Sequence, residues 1–427
     1  MIMKIFLDTI GCRLNQAEIE ALARKFQAAG NEIVPSAAEA DLAVINTCTV
    51  TTEAASDSRA AIRRAKRLGA GEILATGCWA TLEPEKAAAL PGVFRIVPNM
   101  EKEKLAADLL NLPDEFFDLE PVARQPLPGL HQRTRAFVKV QDGCDNTCSF
   151  CITRQARGVS RSRTLHEVST DFDSALKGGA QEIVLTGVAL GSWGLDLQPA
   201  QRISDLVSAL LARKVAHRMR LSSLEPWDLT EDFFNLWRDP GICRHLHLPL
   251  QSGSAGVLRR MTRKSTPGNF AAVIRSAREA IPGVALTTDV IVGFPGETDD
   301  EFGESLEFVR SMQFAGGHVF HFSARPGTPA ARMKGRVRSE VVKERSLAMR
   351  EILAESAAAY QQKFIGETLP VLWEAASTLT DAGWQIEGLT DNYLRVTSIA
   401  SEPRWNRIDK VFIKEANMGG LKGEIQV

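Results

Sequence analysis

The sequence lacks several things at once. Its 51 Lys and Arg are offset by 52 Asp and Glu, leaving a formal net charge of -1. No global basic field therefore announces nucleic acid. No apolar run approaches the length that crosses a bilayer. The start, Met1-Ile2-Met3-Lys4-Ile5-Phe6-Leu7-Asp8-Thr9, is interrupted by an acid, and no signal cleavage pattern follows. These absences point to a cytosolic protein, expected in the cytoplasm. In that setting seven cysteines suit metal binding better than disulfides. A length of 427 residues with 44% hydrophobic content is enough for a large core and two to four domains.

Three of the seven cysteines stand in Cys144-Asp145-Asn146-Thr147-Cys148-Ser149-Phe150-Cys151, at spacings of four and three. They follow the apolar run Ala136-Phe137-Val138-Lys139-Val140. Thiolates hold iron–sulfur clusters, and a four-iron cluster takes four of them. No fourth ligand sits nearby, so one iron is left open. The competing explanations are a zinc knuckle or buried thiols. Zinc sites pair two CxxC-like halves, which this stretch lacks.

Three more cysteines each end an apolar run. Lys4-Ile5-Phe6-Leu7 leads to Cys12, Leu42-Ala43-Val44-Ile45 to Cys48, and Glu72-Ile73-Leu74-Ala75 to Cys78. Helix-like stretches alternate with these runs, at 16–28 and 56–68. This is a βα repeat with a parallel sheet. Ligands bind at the C-terminal strand edge of such sheets, so three thiols can meet there. Gly11, Asn46 and Gly77 suit tight turns close to a ligand. The alternative is three unrelated core cysteines. Cys243 has no partner in sequence and reads as a packed thiol.

The Cys144 trio, with an aromatic before its last member, resembles that of the radical S-adenosylmethionine enzymes. Gly11-Cys12-Arg13-Leu14-Asn15-Gln16, Asn46-Thr47-Cys48 and Gly77-Cys78, in this order, make the resemblance that of the methylthiotransferases. It continues in Arg157-Gly158-Val159-Ser160-Arg161-Ser162-Arg163, Ser222-Ser223-Leu224-Glu225-Pro226 and His245-Leu246-His247-Leu248-Pro249-Leu250-Gln251-Ser252-Gly253. Asp289-Val290-Ile291-Val292-Gly293-Phe294-Pro295-Gly296-Glu297-Thr298 extends it, so that it spans essentially the whole chain. Cys151-Ile152-Thr153-Arg154 departs by lacking the proline that usually follows this cluster.

The resemblance implies an α/β protein in three parts. Residues 1–120 form a parallel-sheet domain with an auxiliary [4Fe-4S] cluster on Cys12, Cys48 and Cys78. After a linker near Pro121 to Pro128, residues 133–360 form a partial (β/α) barrel with a second [4Fe-4S] cluster on Cys144, Cys148 and Cys151. Residues 363–427 read as a small β-barrel resembling the RNA-binding TRAM module. From Gly366 to Val427 there are three Lys and three Arg against three Asp and six Glu. Binding RNA there needs a local basic face, or stacking by Trp384 or Tyr393. The implied cofactor contacts are Phe150, Gly187, Glu225, Gln251 and Gly293 for S-adenosylmethionine. Gly293 is expected to let the chain pass the adenine closely. Arg154, Arg157, Arg161 and Arg163 are expected at the substrate. Two further basic groups can contact phosphate or be solvated: Arg59, Arg63, Arg64, Lys66 and Arg67 on one helix, and Arg259, Arg260, Arg263 and Lys264.

The implied reaction adds a methylthio group to C2 of N6-threonylcarbamoyladenosine at position 37 of tRNA, beside the anticodon. C2 of adenine carries a C–H that acid–base groups do not break, whereas a 5′-deoxyadenosyl radical does. The sulfur comes from the auxiliary cluster. A threonylcarbamoyl group carries a carboxylate, and Arg154 or Arg157 is the expected grip on it. The isopentenyladenosine and ribosomal-protein aspartate branches are the alternatives within the family. A non-catalytic iron–sulfur RNA-binding sensor is the alternative outside it. Implied partners are tRNA and a reductant such as flavodoxin or ferredoxin, with the chain a monomer and no membrane.

Overall fold

The structure is a computed structural model that describes residues 2–117, 134–213, 218–417 and 419–426. The Pro121–Pro128 linker lies outside the described residues. The chain forms two compact units. One comprises Met1–Asn146, Ile152–Ala189 and Trp193–Gln201; the other comprises Thr147–Cys151, Leu190–Ser192 and Arg202–Val427.

In the first unit, β1 (Lys4–Thr9), β2 (Glu32–Ile33), β3 (Leu42–Thr47), β4 (Glu72–Gly77) and β5 (Val93–Val97) make one sheet. Its order is β2-β1-β3-β4-β5 and every pairing is parallel. The central strand β3 is buried on both faces, as parallel sheets require. Leu42 and Val44 join one core with Ile19, Leu22 and Phe26. Ala43 and Ile45 join another with Ile62, Ala65 and Trp79.

Two helices frame the strand ends. Helix α1 (Arg13–Ala28) starts directly at Cys12, its N-cap, without a side-chain cap. Helix α2 (Thr52–Leu68) is capped by Thr51, whose hydroxyl accepts from Ala54 N–H, and stops at Gly69 in the left-handed region. Further along, β6 (Ala136–Lys139) lies beside α1, where Ala17 and Phe137 share a small core. The hairpin pair β7 (Gln141–Asp142) and β8 (Arg161–Ser162) is antiparallel. Strand β9 (Glu182–Thr186) runs parallel to β6.

The second unit holds β10 (Arg218–Leu221), followed by β11 (His245–His247), β12 (Ala285–Val292) and β13 (Gly316–His321), which form a parallel sheet in that order. A closed five-stranded barrel follows: β14 (Thr368–Thr380), β15 (Gly383–Thr390), β16 (Arg395–Ala400), β17 (Ile408–Asn417) and β18 (Gly420–Ile425), ordered β14-β15-β16-β18-β17. The fold is thus mixed α/β with a strand-rich C-terminal barrel. Buried Arg218 donates to the carbonyls of Leu389 and Pro370, and Arg220 to those of Asp391 and Thr390. Arg244 grips Asp391 with two bonds. Tyr393 stacks on His245 at 4.1 Å with Arg220 5.1 Å from its ring centroid. That ring therefore serves the barrel's attachment rather than an open stacking surface. Cys243 is buried, as a packed thiol. No described helix is long and apolar enough to cross a membrane.

Candidate functional site

The order β2-β1-β3-β4-β5 places a topological switch point between β1 and β3, the crevice where doubly wound sheets bind ligands. Cys12 follows β1, Cys48 follows β3, and Cys78 follows β4 as the first residue of a short helix. The turns before Cys12 and Cys78 are glycines for a reason. Gly11 has φ +105°, and a Cβ there would lie 2.6 Å from the Cys48 sulfur. Gly77 has φ +93°, and a Cβ there would lie 2.2 Å from the Thr47 carbonyl. Only glycine lets the three thiol-bearing ends come this close.

Cys12 is exposed, whereas Cys48 and Cys78 are buried. Burial pushes the Cys48 thiol up to about 11, and the neighbouring thiols Cys12 and Cys78 add to the rise. Among the described residues no three Cys, His, Asp or Glu side chains form a ready metal cage. The fold instead supplies three soft sulfur donors at adjacent strand ends, one of them at the uncapped start of a sixteen-residue helix. That donor set and glycine cradle fit a sulfur-ligated iron centre with a position left open.

Behind the thiols lies a buried polar network. Arg157 bonds Glu18 at 2.8 Å, Asp142 at 3.0 Å and the Asn15 amide oxygen at 2.6 Å. Lys102 bonds Glu18 at 2.7 Å and the Asn46 amide oxygen at 3.0 Å. Asn15 also accepts from the Cys12 thiol at 3.6 Å, and Asn99 donates to the Cys78 sulfur at 3.5 Å. The paired cations hold the Glu18 carboxyl well below the usual carboxylate range despite its burial. Sequence reasoning missed Glu18, Asn99 and Lys102. A signal existed for Asn15 and Glu18, which follow Cys12 at helical spacings of three.

The second trio is local. Cys144 belongs to the first unit, Cys148 and Cys151 to the second. The Asn146 backbone N–H donates to the Cys144 sulfur at 3.4 Å. Gly143, at φ +68°, is obligatory because a Cβ would collide with the Val159 carbonyl at 1.8 Å. In the second unit, Ser149 is held by the Met261 and Arg260 carbonyls. Phe150 packs against Val257, Met261, Phe294 and Ala330. Arg263 points one nitrogen at the Cys148 sulfur, 3.7 Å away, while gripping Glu225 at 2.6 and 3.1 Å and covering Trp227 at 4.5 Å. Burial raises the Cys148 thiol and Arg263 works against that rise. Three thiols within eight residues of one another in sequence are a donor set that suits an iron–sulfur cluster, and donors reach the sulfurs of Cys144 and Cys148 each within its own unit. Arg263 is thereby a partner of sulfur and carboxylate, not a free phosphate contact.

The other expected residues divide. Glu225 lies beside Cys148 through Arg263. Gln251 has a left-handed backbone, φ +70°, and bridges to β12. Gly187 faces Gln141, whose atoms a Cβ would meet at 3.1 Å. Gly293 has φ +74°, and a Cβ there would meet Val342 at 2.5 Å. The positive φ and the nearness of Val342 each favour glycine at this position.

The four arginines after the cluster also divide. Arg157 is 1% exposed and both its terminal nitrogens are engaged, so the expectation that it grips a substrate carboxylate is corrected. The guanidinium is drawn inward because Glu18 and Asp142 meet it there. Arg163 pairs with Asp171 at 2.6 Å. Arg161 bonds the carbonyls of Arg157 and Val159 and is half-buried. Arg154 is exposed, with one long bond to the Asp145 carbonyl. Of the other basic groups, Arg260 is held by Glu301. Arg63, Lys66 and Arg67 are exposed on α2.

Comparison with known proteins agrees with this geometry. Residues 138–309 match the Radical SAM superfamily, and residues 4–97 match a family described as Uncharacterized protein family UPF0004. The chain is 38% identical to the threonylcarbamoyladenosine tRNA methylthiotransferase MtaB of Bacillus subtilis (strain 168), over 98% of this chain and 96% of that protein. The chain belongs to this methylthiotransferase family. The MtaB of Thermotoga maritima is 36% identical over 86% of each chain. Among solved structures, the radical S-adenosylmethionine methyltransferase TsrM of Kitasatospora setae superposes with a TM-score of 0.58 at 16% identity, covering 77% of each chain. That likeness is one of fold. Membership in the superfamily brings S-adenosylmethionine and one [4Fe-4S] cluster.

Proposed function

We propose that this chain methylthiolates C2 of N6-threonylcarbamoyladenosine at position 37 of tRNA, in the cytoplasm and as a monomer. The observation that carries the reading is a pair of cysteine trios in one chain. One sits at the switch point of a parallel sheet and the other in a CxxxCxxC loop. The chain is also 38% identical, nearly end to end, to a protein named for threonylcarbamoyladenosine.

Three parts divide the work: 1–120 for sulfur supply, 133–360 for radical generation and 363–427 for tRNA. Cys144, Cys148 and Cys151 hold the radical cluster, and Cys12, Cys48 and Cys78 hold a second [4Fe-4S] cluster. When bound, the first cluster with S-adenosylmethionine supplies the 5′-deoxyadenosyl radical that an aromatic C–H bond demands. The chain's own residues do the rest. Phe150 closes the apolar wall behind the Cys144–Cys151 loop. Glu225, Gln251 and Gly293 in the second unit, and Gly187 after β9 in the first, are the residues assigned to the cofactor. Arg263 orients Glu225 and donates to the Cys148 sulfur. Arg154, exposed beside the loop, reaches the carboxylate of the threonylcarbamoyl group, with Arg161 nearest it in sequence among the half-exposed arginines. Flavodoxin or ferredoxin supplies electrons.

Nucleoside mass spectrometry of tRNA from cells lacking the gene tests the reading. The methylthio form of threonylcarbamoyladenosine should vanish and its unmethylthiolated precursor should accumulate. Loss of methylthio-isopentenyladenosine instead would assign the chain to the other tRNA branch. Unchanged tRNA would sink the proposal.

A further inference from the structure

We propose that the buried network of Arg157, Lys102 and Glu18 is a positioning element holding surplus positive charge behind Cys12, Cys48 and Cys78. Its role is to set the reduction potential of the iron–sulfur centre on those thiols. This rests on the reading that these three thiols carry such a centre.

Five linked side chains carry charge here. Arg157, Lys102 and Lys139 are cations; Glu18 and Asp142 are acids. Their side chains are between 2% and 11% exposed. Among the described residues Lys139 alone of the three cations has a further acid, the exposed Glu103, and the half-exposed Arg161 also approaches Asp142, at 3.7 Å. Arg157 and Lys102 thus depend on Glu18 and Asp142, which Lys139 also draws upon. A cation buried with too few acids is costly unless another anion stands near. The thiols at the switch point, once deprotonated, are that anion.

Three asparagines lie between the network and the thiol-bearing strand ends. The Asn15 amide oxygen accepts from both Arg157 and the Cys12 thiol. Its amide nitrogen donates to the carbonyls of Ile10 and Thr47, at the ends of β1 and β3. Asn99 donates to the Cys78 sulfur and to the carbonyl of Ala156, next to Arg157. Asn46, two residues before Cys48, accepts from Lys102. Asn15 thus links a cation directly to a sulfur, while Asn99 reaches the Cys78 sulfur from the backbone beside Arg157 and Asn46 ties Lys102 to the end of β3.

A reduced iron–sulfur centre carries one more negative charge than the oxidised one. Fixed positive charge beside it raises the potential, and fixed negative charge lowers it. The test uses the full chain with Cys144, Cys148 and Cys151 replaced by Ala, so that only the first trio holds iron. Potentials are read by redox titration followed by electron paramagnetic resonance, with iron content measured alongside.

Glu18→Gln removes an acid and should raise the potential. Arg157→Met and Lys102→Met each remove a cation and should lower it. Each change should alter the reduced-to-oxidised ratio at fixed ambient potential about tenfold, or about 59 mV for one electron. Arg157→Lys, which keeps the charge, should stay near the parent. Opposite signs support the proposal. Shifts of one sign, or none with iron retained, overturn it. Should both cation-removing variants lose their iron, Glu18→Gln decides alone, and a lowered or unchanged potential overturns the proposal. A parent that binds no iron would instead sink the reading of the second centre.

Discussion

The two cysteine trios solve one chemical problem in opposite ways. Cys144, Cys148 and Cys151 span eight residues, and the partners of their sulfurs include a main-chain N–H and a guanidinium. Cys12, Cys48 and Cys78 are separated by dozens of residues and meet only because three parallel strands end side by side. The local trio needs a loop of the right length. The dispersed trio needs the whole sheet and two obligatory glycines, and a buried charge network lies behind it. The difference teaches where each function is vulnerable. Damage to the loop should remove one activity and leave the fold intact, whereas damage behind the sheet should trade stability for electrostatics.

The largest effects should come from breaking either trio outright. Replacing Cys144, Cys148 and Cys151 with Ala should leave about half the iron of a two-cluster protein and no 5′-deoxyadenosine. Anaerobic reconstitution with product chromatography measures both. Continued cleavage of S-adenosylmethionine by that variant would refute the assignment. Replacing Cys12, Cys48 and Cys78 should do the converse: 5′-deoxyadenosine still forms, while methylthiolated nucleoside disappears. Full product yield from the second variant would erase the distinction between the trios.

The same contrast explains what was legible in the sequence. The Cys144 trio is visible as spacing, because its geometry is local. The first trio is visible only through the βα repeat, which the apolar runs mark well: 4–7, 42–45 and 72–75 lie inside β1, β3 and β4. Strands such as β2, β5 and β18 are not marked by an apolar run. Glu32-Ile33 is too short to show alternation, and Gly420–Ile425 is diluted by two glycines and two charges. The role of Arg157 is hidden from the sequence for a physical reason. An arginine beside a cluster looks like a substrate contact until its acids are located, and Glu18 lies 139 residues away. Tyr393 was open to the same error, since its partners Arg220 and His245 come from other strands.

A subtler way to sharpen the comparison is to disturb the local trio without removing a thiol. Arg263→Leu strips the Cys148 sulfur of its guanidinium donor and leaves Glu225 unpaired. Removing a partner of this kind costs roughly 10–100-fold in metal affinity or activity. The rate of 5′-deoxyadenosine formation should fall in that range, with the iron on Cys12, Cys48 and Cys78 unaffected. An unchanged rate would deny Arg263 its role. Arg218→Ala is the control that touches neither trio. It deprives two carbonyls of the barrel of their donor. Unfolding by urea should show a loss of about 1–3 kcal/mol while iron content stays constant.

The smallest effect separates a strained carboxylate from both sulfur sites. Asp228 lies three residues after Glu225, and its Oδ2 is buried without a hydrogen-bond partner. Burial, and then the Glu225 charge, push its carboxyl up to about 6, with Lys264 and Arg263 opposing. The folded protein therefore keeps a proton that the unfolded chain releases near its ordinary value of 3.8. Where the folded state binds the extra proton, stability falls as pH rises. The loss begins near pH 4 and is complete above about pH 6. Asp228→Asn removes the titrating group while keeping its shape. Its advantage over the parent should be close to nil at pH 4 and grow to about 1–3 kcal/mol at pH 7.5, reduced from the full conversion because the side chain is partly exposed. Urea midpoints of both proteins at the two pH values measure this. An advantage independent of pH would mean that the substitution acts through packing and that Asp228 is not held protonated by burial.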